Sequence, residues 1–357
     1  MSGDVYNLSK QLGSVSRDQF NRALARFGLG ELRYASAVPF GLFGQNAFVT
    51  STRGEFVFRG APLVHWQFPT ERFYASLLHD HGVPAPWPYL IDDSCEFFPW
   101  AYVIMPRMPG VQASDPAERQ RLSASDRIEL AHALARMLAT LHEITMPKLA
   151  RFDAERDCLR SVPLRDWMAW PSIEKYGEMI GAEPRHDEIV SGRIRTLLAK
   201  SQSASDITTT ADVEWAEQIL AQSESALRVP FRPSLVFEDY KEGNVVFRRV
   251  LDLWEVCGVF DLMQCFFGDG EADLARPAVI YFDESPALAE AFLLTYLELK
   301  PPRPGFVERA RVYMLLDRLI IWEYVVRQEP RIAQKVGSLR HWMERYVELV
   351  PTFAQRV

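Results

Sequence analysis

The chain has 357 residues, of which 48% are hydrophobic, 12% aromatic and 24% charged. At roughly 100–200 residues per domain that allows two or three packed units, and it excludes disordered, fibrous and disulfide-stapled classes. Forty Lys and Arg against 47 Asp and Glu give a net charge of −7, which leaves no cation surplus for a phosphate backbone, so nucleic acid is not an expected partner.

Taken in order, residues 18–27 read as a short amphipathic helix, and 33–39 open an extended region. Segments 46–52 and 55–59 flank the turn signal Arg53-Gly54, with Phe56 and Phe58 on one face and Val57 and Arg59 on the other, a β-hairpin. Pro69, Phe73, Leu77 and Leu78, followed by Gly82, mark a helix opened by proline and closed by glycine. A further strand, 101–105, ends at Pro106, so the first 108 residues or so form a small α+β unit.

From Asp126 onward the character changes. Leu130, Leu134, Met137, Leu138 and Leu141 follow a helical stripe, with Asp126 and Glu129 as a capping pair at its start. Helical patterns recur at 188–199, 213–220, 286–297, 307–326 and 339–349, while the Ser- and Thr-rich 201–210 reads as an exposed loop. The apolar stretch 102–105 is bounded by prolines and Arg107, and 312–326 is interrupted by Asp317, Arg318 and Glu323, so neither matches the ~20 residues of a bilayer span. Residues 1–10 have no apolar core of a secretory signal, and a cytoplasmic protein without a membrane partner is expected. Cys95, Cys158, Cys257 and Cys265 read as reduced core thiols, and neither they nor the seven histidines show metal-ligand spacing or a hydrolase triad.

One compact β segment lies inside the helical part. It holds Leu235-Val236, then Phe237-Glu238-Asp239-Tyr240-Lys241-Glu242-Gly243-Asn244, the strand Val245-Val246-Phe247, and a second strand, 256–260, that runs into Asp261. An acid, an amide five residues on and a second acid at the end of the next strand answer the needs of phosphoryl transfer. One carboxylate orients the attacking hydroxyl, while an amide oxygen and another carboxylate hold magnesium against the phosphates.

This pattern resembles the aminoglycoside phosphotransferase and choline kinase family, whose fold is that of protein kinases. Asp239 and Asn244 match its catalytic loop of His-Gly-Asp, four residues and Asn. Phe260-Asp261-Leu262 matches its metal-binding segment, and Gly268-Asp269 and Asp273-Leu274-Ala275 the motifs that follow. Gly41, Gly44 and Asn46 resemble its phosphate-covering loop, Phe56-Val57-Phe58-Arg59 the strand whose basic residue reaches the nucleotide, and Glu71 the helical acid that pairs with it. Gly82-Val83-Pro84-Ala85-Pro86 resembles the segment after that helix, 103–110 the hinge, and Leu138-Ala139-Thr140-Leu141-His142 a family helix.

The resemblance implies an α+β, two-lobed, protein-kinase-like fold with a small β-rich N-lobe and a large, mostly helical C-lobe. Residues 1–36 would be an N-terminal helical extension, 37–108 the nucleotide-binding N-lobe, and 109–357 the C-lobe with catalytic loop, a helical insertion between Met146 and Arg232, and the acceptor site. It implies transfer of the γ-phosphoryl group of ATP, or alternatively GTP, with Mg²⁺, to a hydroxyl of a small molecule such as an antibiotic or metabolite. Gly44, Asn46, Arg59, Glu71 and the hinge residues Pro106, Arg107 and Met108 would hold nucleotide, Asn244 and Asp261 the metal, and Asp239 would orient the acceptor hydroxyl. Lys241, two residues after Asp239, gives the Asp-x-Lys-x-x-Asn arrangement that resembles Ser/Thr protein kinases, and its ammonium would stabilise the transferring group. The other class open to this sequence is a nucleotide-binding pseudokinase or regulatory module without phosphotransfer, because Phe237 and Glu238 stand where the family has His and Gly.

Strand alternation turns Glu238 outward. Asp269 and Asp273 are expected to cap a helix or brace the catalytic loop. Trp167, Trp170, Trp215, Trp322 and Trp342 fall on helical patterns and read as core. Residues 238–273 carry nine acids and three bases, an excess that suits a cationic acceptor such as an aminoglycoside or amino alcohol, while a macrolide, sugar or metabolite also fits.

Overall fold

A computed structural model of the chain describes residues 5–38, 43–171, 173 and 175–354. It divides into a strand-rich unit, Met1–Leu122 with Ala154–Arg156 and Glu242–Met263, and a mostly helical unit, Ser123–Asp153 with Asp157–Lys241 and Gln264–Val357.

The first unit is organised by the expected hairpin, Asn46–Ser51 against Gly54–Gly60, with Asn46 opposite Arg59 and Ser51 opposite Gly54. It is the centre of a five-stranded antiparallel sheet completed by Leu32–Ala37 on one side and by Tyr102–Pro106 and Leu90–Asp92 on the other. Ala47, Val49 and Phe58 point to the core, where Phe58 meets Phe20, Phe98 and Tyr102 at centroid distances of 5.3, 5.2 and 5.3 Å. Phe20, Ala23 and Leu24 of the helix Arg17–Arg26 belong to that same core, and Ser16 and Gln19 cap the helix reciprocally. The segment before residue 37 is thus built into the sheet's core, and it contributes the edge strand Leu32–Ala37. The short hairpin Val5–Asn7 with Ser14–Ser16 carries too few apolar residues to be read from alternation.

The helix Gln67–Asp80 starts two residues before Pro69, which sits in its first turn where no intrahelical N–H is needed, and Gly82 follows its end at φ +71°. Residues beyond 108 stay with this unit. Val111 and Phe247 exchange backbone hydrogen bonds of 2.7 and 2.8 Å, and Val259 donates to the Pro84 carbonyl at 2.9 Å. These bonds seat the hairpin of Val245–Val250 and Leu253–Val259 on the first unit.

In the second unit Phe306–Gln328 is the central helix, buried along Val312–Leu316 and at Leu319 and Trp322, and it packs against His186–Ala204 and Thr210–Leu227. Ala124–Leu141 and Pro286–Leu299 form another pair. The cap of Ala124–Leu141 is Ser123 with Asp126 rather than Asp126 with Glu129, because the cap position needs a side-chain oxygen facing the N–H three residues on. The expected loop 201–210 is corrected as well: the helix runs on to Ala204, Ser203 returns its hydroxyl to the Ala199 carbonyl at 2.8 Å, and Ser201 is buried. Thr208 is also buried and accepts from Trp322 Nε1 at 2.8 Å. Of the four free cysteines only Cys257 and Cys265 are core, since Cys95 and Cys158 are exposed. Trp167, Trp170, Trp215 and Trp322 are buried and Trp342 half-buried. Among the described residues no helix is long and apolar enough to cross a membrane.

Candidate functional site

In the first unit a cavity of about 400 Å³, within the range of roughly 300–1,000 Å³ typical of small-molecule sites, opens beside the hairpin. Asn46, Arg59, Glu71, Pro106, Arg107, Met108, Asn244 and Asp261 all line it. Gly44 is not among the lining residues; its carbonyl accepts from Ser9 Oγ, and its φ of +61° with Ser9 Cβ 3.1 Å from a hypothetical Cβ explains the glycine. Gly41 lies outside the described residues.

Alternation along Gly54–Gly60 directs Arg59 inward, where it is 7% exposed. Its Nη1 donates to Glu71 Oε2 at 2.9 Å and its Nη2 to Asp261 Oδ1 at 3.2 Å. Burial works against the guanidinium charge, but the Glu71 and Asp261 carboxylates outweigh it and hold the group charged above its ordinary value. For Glu71, burial is the largest influence and pushes its carboxyl up, with Arg59 opposing. Tyr89 donates its hydroxyl to Glu71 Oε2, and Gln67 Nε2 donates to Oε1 at 3.2 Å. Burial, and next the Glu71 charge, push the Tyr89 phenol well above its usual range, so that it stays a donor.

Two polar atoms of residues that line this cavity are buried without a hydrogen-bond partner, Arg59 Nε and Asn46 Oδ1. They belong to residues paired across the hairpin. Such atoms normally find partners, so a donor and an acceptor left open in one cavity fit a ligand that both accepts and donates there, as a nucleotide does. Phe260 donates its N–H to the Asn244 carbonyl at 3.0 Å, which sets the Asn244 and Asp261 backbones side by side, and Asp261 has φ +68°. Their side chains offer hard oxygen donors. The described residues bring no three His, Cys, Asp or Glu together as a metal cluster, so a magnesium ion held by Asp261 and Asn244 would complete its shell from phosphate and water. At the hinge Pro106 has no N–H and the Arg107 N–H is spent on the Glu55 carbonyl at 3.1 Å, while the Arg107 guanidinium lies 4.0 Å over the Phe48 ring.

The segment that ends at Lys241 belongs to the second unit. Asp273 accepts the N–H groups of Phe237 and Glu238 at 2.6 and 2.8 Å, with His142 Nε2 3.3 Å away, so it braces the backbone just before Asp239. Asp269 caps the turn that follows through Glu271 N–H at 3.2 Å. The Phe237 ring packs edge-on to Tyr240 with centroids 5.6 Å apart. Asp239 accepts Lys241 Nζ at 2.5 Å on Oδ2 and Arg276 Nη1 at 2.8 Å on Oδ1.

Glu238 does not turn outward. Its φ is +68°, so the alternation of an extended strand does not apply, and the same left-handed backbone accounts for the family's glycine. Its carboxylate is buried against Arg193 at 2.5 Å and accepts from Trp170 Nε1 at 2.9 Å. Burial raises its pKa, but Arg193, Arg151 and the Trp170 hydrogen bond together bring it below the usual carboxylate range.

The acidic excess of 238–273 loses its significance for a cationic acceptor. Glu238 is paired with Arg193, Asp239 with Lys241 and Arg276, and Asp261 with Arg59. Asp269 meets Arg303, and Glu271 meets Arg303 and Arg309. Counting formal charge along the sequence hid these distant arginines. The same distance concealed Tyr89 and Arg276, which reach their carboxylates only through the fold, although Arg276 directly follows Asp273-Leu274-Ala275; Gln67 is instead a local partner, four residues before Glu71 on one helix.

Three solved structures share the fold at low identity. Choline kinase LicA from Streptococcus pneumoniae has a TM-score of 0.53 and 15% identity over 95% of this chain and 98% of its own. The GDP complex of aminoglycoside 2'-phosphotransferase-IIIa has a TM-score of 0.54 and 11% identity over 96% and 99%. Aminoglycoside-3'-phosphotransferase of type VIII has a TM-score of 0.50 and 18% identity over 85% and 98%. A comparison with curated proteins finds no match. The family model of the phosphotransferase enzyme family matches residues 36–309, well over half of the chain. With its α+β architecture and kinase-like structural neighbours, the chain therefore belongs to the phosphotransferase enzyme family.

Proposed function

We propose that this protein is a small-molecule kinase that transfers the γ-phosphoryl group of ATP to an acceptor hydroxyl with Mg²⁺, with GTP as the alternative donor. The observation that carries the reading is the lined cavity in which Arg59, fixed by Glu71, keeps an unpartnered Nε donor beside Asp261. Arg59 grips phosphate oxygens through its planar fork, Glu71 orients it, and Asn46 Oδ1 accepts from the nucleotide. With the Pro106 and Arg107 positions closed as donors, the Met108 N–H is the one the base meets. Asn244 and Asp261 would hold Mg²⁺, which would supply positive charge against the phosphates.

Asp239 orients the acceptor hydroxyl. The acceptor oxygen forms its bond to the γ-phosphorus as the bond to the β–γ bridging oxygen breaks, and the hydroxyl proton passes to the Asp239 carboxylate and on to solvent. Lys241 supplies positive charge to the transferring group, so catalysis consists of positioning and charge stabilisation. The pairing of the acids around Asp239 favours a neutral hydroxyl compound over a polycation. The composition, and the lack of a membrane-crossing helix among the described residues, support a cytoplasmic enzyme.

Consumption of ATP and GTP with Mg²⁺ against a panel of neutral antibiotics, sugars, amino alcohols and aminoglycosides tests this. Turnover on at least one acceptor is expected. Asp261→Ala should abolish it with an unchanged far-UV circular dichroism spectrum, and Lys241→Ala should lower kcat by about 10²-fold, the order seen when one charge-stabilising group is removed. Nucleotide binding without turnover on any acceptor would establish the regulatory reading instead.

A further inference from the structure

We infer that Arg276 is a positioning residue for the proposed base, setting the direction in which the Asp239 carboxylate faces the acceptor; the inference rests on the phosphotransfer reading. Arg276 is the second residue of the helix Ala275–Glu284 and lies one turn beyond Asp273. Asp273 fixes the backbone immediately before Asp239 by accepting two N–H groups, and Arg276 holds the Asp239 side chain at 2.8 Å. One short stretch of chain thereby holds both the main chain and the carboxylate of the loop.

Arg276 is itself held from behind. Its Nε donates to Asp317 Oδ1 at 2.5 Å, and Asp317 Oδ2 accepts Arg318 Nε at 2.9 Å and Nη2 at 2.6 Å. The side chains of Arg276, Asp239 and Asp317 are 12%, 16% and 9% exposed, so Lys241, Asp239, Arg276, Asp317 and Arg318 form a largely buried row of alternating charge. A guanidinium is planar, so pinning Nε on Asp317 determines where Nη1 points, which a flexible ammonium would not do. Asp317 already has Arg318 as a partner, which leaves Asp239 as the counterion of Arg276. With Arg276 on Oδ1 and Lys241 on Oδ2, each carboxylate oxygen keeps limited lone-pair capacity, and a hydroxyl can approach only from the side that these cations leave open.

The test uses the intact protein and water as acceptor, as steady-state Mg²⁺-dependent ATP hydrolysis, so that no acceptor need be identified. Arg276→Gln is expected to lower kcat by about 30-fold or more with the KM for ATP within twofold, because a misdirected base costs on the order of 10²-fold. Guanidinium ion should restore part of the rate to Arg276→Ala, and Arg276→Lys, able to reach Asp239 or Asp317 but not both, should fall between. A kcat for Arg276→Gln within threefold of the unsubstituted protein overturns the inference. So does a parallel loss of ATP affinity and thermal stability without guanidinium rescue, the signature of a purely structural arginine. If Arg276→Gln does not fold, Arg276→Lys decides: kcat down about tenfold at unchanged KM supports the role, and unchanged kcat ends it. An unsubstituted protein that transfers phosphoryl to neither water nor any acceptor overturns the phosphotransfer reading and this inference together, whereas an active protein indifferent to Arg276 overturns this inference alone.

Discussion

Glu238 shows how a single side chain can offset an unfavourable backbone. A non-glycine residue in the left-handed region costs roughly 1–2 kcal/mol, and φ is +68° here. Breaking a buried ion pair by removing one partner costs about 3–5 kcal/mol, because the other charge is left buried and unpaired. The second effect exceeds the first. Glu238→Gly, although it restores the family's residue, is therefore expected to destabilise the protein by about 2–3 kcal/mol through the stranded Arg193, as measured by urea unfolding. Glu238→Gly with Arg193→Met should recover most of that loss, and a stabilised single variant would disprove the argument. Arg59, Glu71, Asn244 and Asp261 were legible as candidates because each sits in a local pattern of strand, helix turn or loop. The inward burial of Glu238 was not, since positive φ at a charged residue leaves no mark in a sequence.

The helix His186–Ala204 opens on a histidine that is only partly legible as an element start, since the apolar spacing marks 188–199 alone. His186 Nε2 is 2.8 Å from Tyr313 Oη on the central helix and 3.8 Å from Asp269 Oδ2, with the Phe231 ring packed on it. Burial is the strongest influence and pulls its pKa below 6.5; Asp269 opposes this, while Arg303 and Arg309 add to it. The unfolded chain then takes up the proton first as pH falls. Stability is complete above the unfolded value and is lost as pH drops from there through the lower folded value, by at most about 1.4 kcal/mol per pH unit. The melting temperature of His186→Gln, which keeps a polar partner for Tyr313 but does not titrate, should change less between pH 7 and 5 than that of the unsubstituted protein. Identical slopes would rule out His186 as the source. Glu238, Asp269 and Asp317, all held below their usual range despite burial, contribute a separate loss at lower pH as they become protonated.

At the scale of the whole chain, the first unit is discontinuous in sequence. Its hairpin, Glu242–Met263, is supplied from between segments that belong to the second unit. Without that hairpin, Val111 loses both of its hydrogen bonds to Phe247, the Pro84 carbonyl loses Val259, and Arg59 loses the Asp261 carboxylate. A fragment of residues 1–122 should therefore fail to fold, giving poorly dispersed amide proton resonances, while co-expression with 123–357 should restore order. A well-dispersed spectrum for 1–122 alone would show that the hairpin is dispensable. Discontinuity of this kind cannot be read from composition or periodicity, which is why the change in character after residue 108 looked like a boundary.

What the sequence determined by itself is whatever depends on neighbours in the chain. Alternation set the hairpin that aims Arg59, the apolar stripes set the helices, and the spacing of Asp239, Asn244 and Asp261 set the loop and strand ends on which they ride. Only the tertiary structure decided which charges neutralise which. Arg193 on Glu238, Arg276 on Asp239 and Arg303 on Asp269 join residues more than thirty positions apart. Coulomb attraction and desolvation act through space, and a chain written in one dimension does not carry those distances.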